Sequence, residues 1–318
     1  MDLALVAQNL LSPMVLAFAL GLAASAAGSD LRLPDPVHSL LSTYLLLAIG
    51  LKGGVAIATA GLGAVLVPAL AALALGCAIP LWSFAVLAGP LKLARVDAAA
   101  LAAHYGSVSA VTFVAATAWL DAAGRSHEGF LPALVAIMEV PAIVIGLLLA
   151  PRKNASLGRA LHEILLGKSI VLLAGGVAIG WLSGPRGYAS VAPLFATLFQ
   201  GLLTLFLLDM GAIAARRLRD LKRAGPAVAG FAILAPVLHG ALGALAGRMI
   251  GLSPGGAMVL ATLAASASYI AAPAAVRVAL PEANPTLSLT AALGITFPFN
   301  LLVGLPLYDL FARGMGGW

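Results

Sequence analysis

The sequence predicts an all-α polytopic membrane protein, with ten transmembrane helices in two inverted five-helix repeats and two broken helices that cross. Three observations carry that prediction. Of 318 residues, 62% are hydrophobic and only 9% charged, at a mean hydropathy of +1.06, whereas a soluble domain carries about a quarter charged residues. The apolar residues fall into runs of the roughly 20 residues that one span requires, without the shorter alternating pattern of barrel strands. The two halves of the chain also share a residue pattern.

Apolar runs separated by Pro, Gly and charge place spans at 10–28, 37–57, 60–88, 97–119, 128–150, 165–183, 190–214, 225–250, 254–279 and 285–312. The first ends in Leu22-Ala23-Ala24-Ser25-Ala26-Ala27-Gly28, which has the small residues of a signal cleavage site. It lacks a basic segment before it and has a counterpart in the second half, so it is expected to be retained as a span. With ten spans, thirteen of the 18 Lys and Arg residues fall on one side, including Arg152 to Lys168 and Arg216 to Arg223. That side is expected to be cytoplasmic, with both termini outside. Residues 1–150 form the first repeat, 151–164 a cytoplasmic linker and 165–318 the second repeat, all within one integral membrane domain.

The repeat rests on offsets of about 155 to 161 residues. Thr43-x-x-Leu46-Leu47-x-x-Gly50 recurs as Thr204-x-x-Leu207-Leu208-x-x-Gly211, Gly21 corresponds to Gly176, and Pro141 to Pro298. Gly106-Ser107-Val108-Ser109 corresponds to the region Ser266-Ala267-Ser268. Five spans per half is an odd number, so the halves enter the membrane in opposite directions, an arrangement typical of secondary transporters.

Polar atoms inside hydrocarbon are costly, so those in mid-span are the informative ones. The fourth span carries Gly106, Ser107 and Ser109 near its centre, and the ninth carries Ser266, Ser268 and Tyr269 before Pro273. Proline removes an amide proton and crowds the preceding turn, which predicts a break around Tyr269 to Ala272; Gly106 gives the same freedom in the other half. Small residues alone would serve close helix packing, but two such clusters at matching places predict a site. Half-helix N-termini suit a small anion, and nearby hydroxyls and carbonyls suit a cation. Glu139, in Glu139-Val140-Pro141, is an intramembrane carboxyl that must be paired, protonated or close to an ion. Its counterpart by register is Thr296, which with Asn300 offers neutral oxygens of the kind sodium accepts. Asp209 is expected near a span end and solvated, Lys52 and His239 at the interface, and Trp82, Trp119 and Trp181 as interface anchors.

Other classes are excluded. The charge of +6 comes from basic residues without the interleaved aromatics of a nucleic-acid groove. The single cysteine, Cys77, allows neither a disulfide nor a cysteine metal cluster. Histidines 38, 104, 127, 162 and 239 have no ligand spacing, and Gly106-Ser107-Val108-Ser109-Ala110 is not a nucleophile elbow. No catalytic residue and no cofactor is expected.

Several strings are long enough to be specific: Ala103-His104-Tyr105-Gly106-Ser107-Val108-Ser109-Ala110-Val111-Thr112-Phe113, Glu139-Val140-Pro141-Ala142-Ile143, Leu161-His162-Glu163 with Gly167-Lys168-Ser169, Leu263-Ala264-Ala265-Ser266-Ala267-Ser268-Tyr269-Ile270-Ala271, Pro281-Glu282-Ala283-Asn284-Pro285 and Thr296-Phe297-Pro298-Phe299-Asn300. Across essentially the whole chain the sequence resembles the sodium-dependent bicarbonate transporter family, the SbtA type known from cyanobacteria. The resemblance implies ten helices divided into a core and a gate, a homotrimer, and import of bicarbonate by symport with sodium across a bacterial inner membrane. By position it implies a substrate site at Gly106, Ser107, Ser109, Ser266, Ser268 and Tyr269, and sodium ligands at Ser109, Ser268, Thr296 and Asn300. It also implies a PII-like regulatory protein on the cytoplasmic face, although the 151–164 linker is shorter than the insert often carried by cyanobacterial members. The alternatives are a sodium-coupled carrier of a carboxylate or sulfate, a sodium/proton antiporter using Glu139, or a membrane receptor that binds the regulator without transporting.

Overall fold

The computed structural model describes residue 7 and residues 9–150 and 157–314. Arg152 and Lys153, with the first part of the expected linker, lie outside them. The described residues form helices and connections, with no strand. In chain order the helices are α1 (Pro13–Ala26), α2 (Asp35–Ala60), α3 (Leu62–Ala88), α4 (Arg95–Gly106), α5 (Ala110–Ala122), α6 (Leu131–Leu148), α7 (Leu157–Leu165), α8 (Lys168–Ala189), α9 (Phe199–Leu218), α10 (Leu221–Met249), α11 (Pro254–Ala265), α12 (Ala271–Ala279) and α13 (Pro285–Gly314).

Among the described residues, eight helices are long and apolar enough to cross a membrane: α2, α3, the interrupted stretch Arg95–Ala122, α6, α8, α9, the Ala224–Met249 part of α10, and α13. Two of the ten expected spans fall short of that measure. Helix α1 has 14 residues and α11 has 12, about 21 and 18 Å at 1.5 Å per residue, against roughly 30 Å of hydrocarbon. Ser12 starts α1 abruptly: its side chain accepts from the Val15 amide, and Pro13 follows at the first helical position. Helix α11 ends because the chain turns out at Ser266.

Local sequence explains the bends. Gly184 takes φ 61° before Pro185 in α8, and Gly225 takes φ 80° before Pro226 in α10, a region that favours glycine. In α13, π-helical turns over Thr290–Thr296 and Asn300–Gly304 flank Phe297–Phe299, which contains Pro298. Wider turns accommodate the missing amide proton and the bulk of the proline ring.

Two helix pairs pack backbone against backbone. A Cβ on Gly21 of α1 would sit 1.9 Å from the Leu208 carbonyl oxygen of α9, and one on Gly211 would sit 2.0 Å from the Phe18 carbonyl oxygen. Between α8 and α2, a Cβ on Gly176 would sit 3.0 Å from the Leu47 carbonyl oxygen, and one on Gly50 would sit 2.6 Å from that of Leu173. The glycines and leucines that match in the sequence therefore make matching contacts. The stretch Arg95–Ala122 is buried over its whole apolar window, whereas α3 is buried over only 28% of its own. Helices α4 and α5 thus lie at the centre, and the leucines of α3, such as Leu62, Leu66 and Leu70, face outward.

Candidate functional site

The central feature is a pair of helix breaks. Helix α4 ends at Gly106, and Ser107 leaves helical geometry at φ −83°, ψ 165°. Helix α11 ends at Ala265, and Ser266 leaves at the same angles, φ −83°, ψ 165°. A serine in each break then bonds a first-turn amide of the helix that follows. The Ser109 Oγ accepts from the Thr112 amide at 3.1 Å, and the Ser268 Oγ accepts from the Ala272 amide at 3.2 Å. Each hydroxyl supplies an acceptor to a first-turn amide that has no partner inside its helix.

The two breaks are bonded to each other. The Ser109 amide donates to Ser266 Oγ at 2.9 Å, and the Ser268 amide donates to the His104 carbonyl oxygen at 2.8 Å. Ser266 Oγ donates to the Leu263 carbonyl oxygen at 2.9 Å, and Ser109 Oγ donates to the Tyr269 hydroxyl at 3.2 Å. Ser107, Ser109, Ser266 and Ser268 are buried, and Ser107 Oγ has no hydrogen-bond partner among the described residues. Gly106, the last residue of α4, also lets α3 pack closely on the break: a Cβ there would lie 2.7 Å from the Pro80 ring.

Helix α13 closes one side. Thr296 Oγ1 donates to the Ala232 carbonyl oxygen at 2.6 Å and accepts from the Tyr105 hydroxyl at 2.7 Å. Asn300 Nδ2 donates to the Ala265 carbonyl oxygen at 3.0 Å, and its Oδ1 accepts from the Tyr308 hydroxyl at 2.6 Å. Each α13 residue is thus pinned to the last turn of a different half-helix, Thr296 to α4 and Asn300 to α11. Hydrogen bonds bring neither of them to Ser109 or Ser268, so the four expected sodium ligands are not one bonded cluster. The Thr296 hydroxyl and the Asn300 carbonyl each keep one acceptor lone pair free. A small cavity of about 10 Å3 lies where Ala110 and Ile270, at the starts of α5 and α12, meet Ser42 of α2 and Phe206 of α9.

Several expected positions move. Glu139 is buried on α6; its Oε1 accepts from Ser169 Oγ of α8 at 3.0 Å, its Oε2 has no partner, and no hydrogen bond joins it to the breaks. Asp209 is not solvated: it is buried and accepts from the Leu33 amide at 3.2 Å, with His38 Nδ1 at 2.6 Å. His239 is fully buried rather than interfacial, with Trp82 edge-on at 4.9 Å. Trp119 is buried and carries the Arg125 guanidinium over its ring. Among the described residues no group of three His, Cys, Asp or Glu is placed to hold a metal ion. The sequence reading passed over Tyr105, Tyr308 and the His104 carbonyl. The two tyrosines were findable, because a buried phenol needs a partner; the carbonyl was not.

No curated protein matches the chain at a significant level. A family model does match, over residues 13–313, a range that contains both breaks, the whole of α4 to α12, and all but the last residue of α13. On that match the chain belongs to the Na+-dependent bicarbonate transporter superfamily.

Proposed function

We propose that this member imports bicarbonate by symport with sodium, holding both at the paired breaks and exposing them alternately to the two sides of the membrane. The observation that carries the reading is the reciprocal bonding of the breaks, Ser109 amide to Ser266 Oγ and Ser268 amide to His104 carbonyl. Four serines, the Tyr269 hydroxyl and the first-turn amides of α5 form a neutral, oxygen- and amide-rich centre. A planar monoanion can be held there by amides and hydroxyls at positive helix ends, without an arginine. Sodium bound to hydroxyl and carbonyl oxygens nearby, among them Ser109, Ser268, Thr296 and Asn300, offsets the desolvation of the anion, so each favours binding of the other.

The reading extends to ten spans, with α1 as the first and α11–α12 as a broken ninth, in two inverted repeats over 1–150 and 165–318. The matching contacts of Gly21 with Leu208 and of Gly176 with Leu47 support it. The space between the starts of α5 and α12 and the neighbouring α2 and α9 has room for no more than about one water. Bicarbonate therefore enters when the breaks move relative to those helices as a unit. Orientation follows the basic residues, with the thirteen-residue side cytoplasmic in a bacterial inner membrane and both termini outside. The family resemblance adds a homotrimer and a PII-like partner on the cytoplasmic face.

The test is uptake of labelled bicarbonate into proteoliposomes with and without an inward sodium gradient. Uptake that rises with the gradient is the expected result. Uptake indifferent to sodium overturns the coupling, and absence of uptake overturns bicarbonate as the substrate.

A further inference from the structure

His104 is fully buried in the last turn of α4. Its Nδ1 lies 3.1 Å from the Ala100 carbonyl oxygen, which can only accept, so Nδ1 carries a proton. No ion pair involves His104 among the described residues, and a second proton would leave an unpaired buried charge. Nε2 therefore presents a lone pair, and among the described residues it has no hydrogen-bond partner. Three residues on, Ser107 Oγ is also buried and without a partner. The His104 carbonyl is itself bonded to the Ser268 amide, so the backbone that carries the ring is tied to the paired breaks.

His104 also lines a cleft of about 360 Å3, together with Arg217, Arg277, Thr286 and Ser288. Both arginines belong to the basic side of the chain. A cleft lined by two arginines draws anions, yet the unpaired ring nitrogen of the histidine that shares this lining is an acceptor. That is the wrong group for an anion whose oxygens only accept, and the right one for an oxyanion that carries a hydroxyl. Bicarbonate and nitrate are both planar monoanions with three oxygens, and only bicarbonate has a proton to donate.

We propose that His104 Nε2 accepts the hydroxyl proton of bicarbonate in a hydrogen bond as the anion passes between the breaks and this cleft, and so selects it over an unprotonated oxyanion of the same shape. The inference rests on the bicarbonate reading and deepens it. It is tested by the inhibition of bicarbonate uptake by nitrate in proteoliposomes of the wild type, His104→Leu and His104→Gln. A lost acceptor leaves the hydroxyl unpaired, so in His104→Leu the preference for bicarbonate over nitrate should fall at least about tenfold. His104→Gln, whose amide oxygen can accept, should keep most of it. Unchanged preference in a His104→Leu chain that still takes up bicarbonate overturns the proposal.

A second measurement needs no variant to fold. In wild-type protein labelled with 15N-histidine, bicarbonate should shift one buried Nε2 resonance and nitrate should not; an equal response to both anions, or to neither, overturns the proposal. The two readings fail separately. A wild type without sodium-driven bicarbonate uptake removes the substrate assignment, whereas uptake with unaltered selectivity removes only the role of His104.

Discussion

The Ser109 amide donates to Ser266 Oγ at 2.9 Å across 157 residues of chain, and this bond joins the end of one helix break to the start of the other. Ser266→Ala removes the acceptor and leaves a buried amide unpaired, at a cost of about 1–3 kcal/mol. Bicarbonate uptake should fall at least about tenfold, with a lower thermal midpoint. Ser107→Ala touches no bonded partner, so it should lower uptake while leaving that midpoint in place. Wild-type kinetics in both variants would remove the breaks from the substrate site.

Asn300 ties α13 to the Ala265 carbonyl and to Tyr308. Asn300→Ala frees that carbonyl and removes a candidate sodium ligand, so half-saturation by sodium should rise several-fold. Sodium titration of bicarbonate uptake reads this directly, and an unchanged sodium dependence would take Asn300 out of the ion site.

Glu139 has Ser169 as its bonded partner and lies outside the bonded network of the breaks. Glu139→Gln keeps the shape and the acceptor, so bicarbonate uptake should stay within about twofold of the wild type. If the variant instead loses uptake and the wild type acidifies or alkalinises vesicles without bicarbonate, Glu139 is the coupling group of an antiporter.

Gly21 meets the Leu208 carbonyl where a Cβ would lie 1.9 Å away. Gly21→Ala therefore forces α1 off α9. Overpacking of this kind costs about 1–3 kcal/mol, and the yield of folded protein in detergent should drop, as read by fluorescence-detected size exclusion. Gly175→Ala has nothing within reach of the added methyl and should behave as wild type.

His127, in the connection between α5 and α6, sits 3.4 Å from Asp121. The hydrogen bond to the Asp121 carboxylate raises its pKa above the ordinary imidazole value, against an opposing effect of burial. The folded value is the higher one, so the stabilisation is fully present below about pH 6.5 and is lost as pH rises through the raised value. The pair is partly exposed, so the effect is at most about 1 kcal/mol. His127→Gln should abolish that segment of the pH dependence of the thermal midpoint.

Legibility differed from residue to residue. Ser107, Ser109, Ser266 and Ser268 stood out because a hydroxyl in the middle of an apolar run is rare and costly. Thr296 and Asn300 stood out for the same reason. Their destinations did not, because the side chain of Thr296 ends on a carbonyl 64 residues away and that of Asn300 on one 35 residues away. Asp209 misled the sequence reading: a carboxylate near a run of arginines looks solvated, and its burial against His38 and the Leu33 amide depends on how the connection between α1 and α2 folds back over α9. His239 misled it likewise, since hydropathy alone does not distinguish an interfacial ring from one packed edge-on to Trp82.

The sequence by itself determined that this chain is helical, apolar and membrane-bound, that its polar atoms concentrate at two matched places, and that its strings are those of a bicarbonate transporter family. These properties depend on composition and on spacing along one helix, where the periodicity of a single segment is the whole physics. Only the tertiary structure decided that the breaks are bonded to each other, that Gly106 belongs to Pro80, that Thr296 and Asn300 serve different half-helices, and that Glu139 lies apart. Those outcomes depend on which carbonyls and hydroxyls remain unpaired once every helix is packed, and an unpaired group in a buried place takes whatever partner the fold brings within 3 Å.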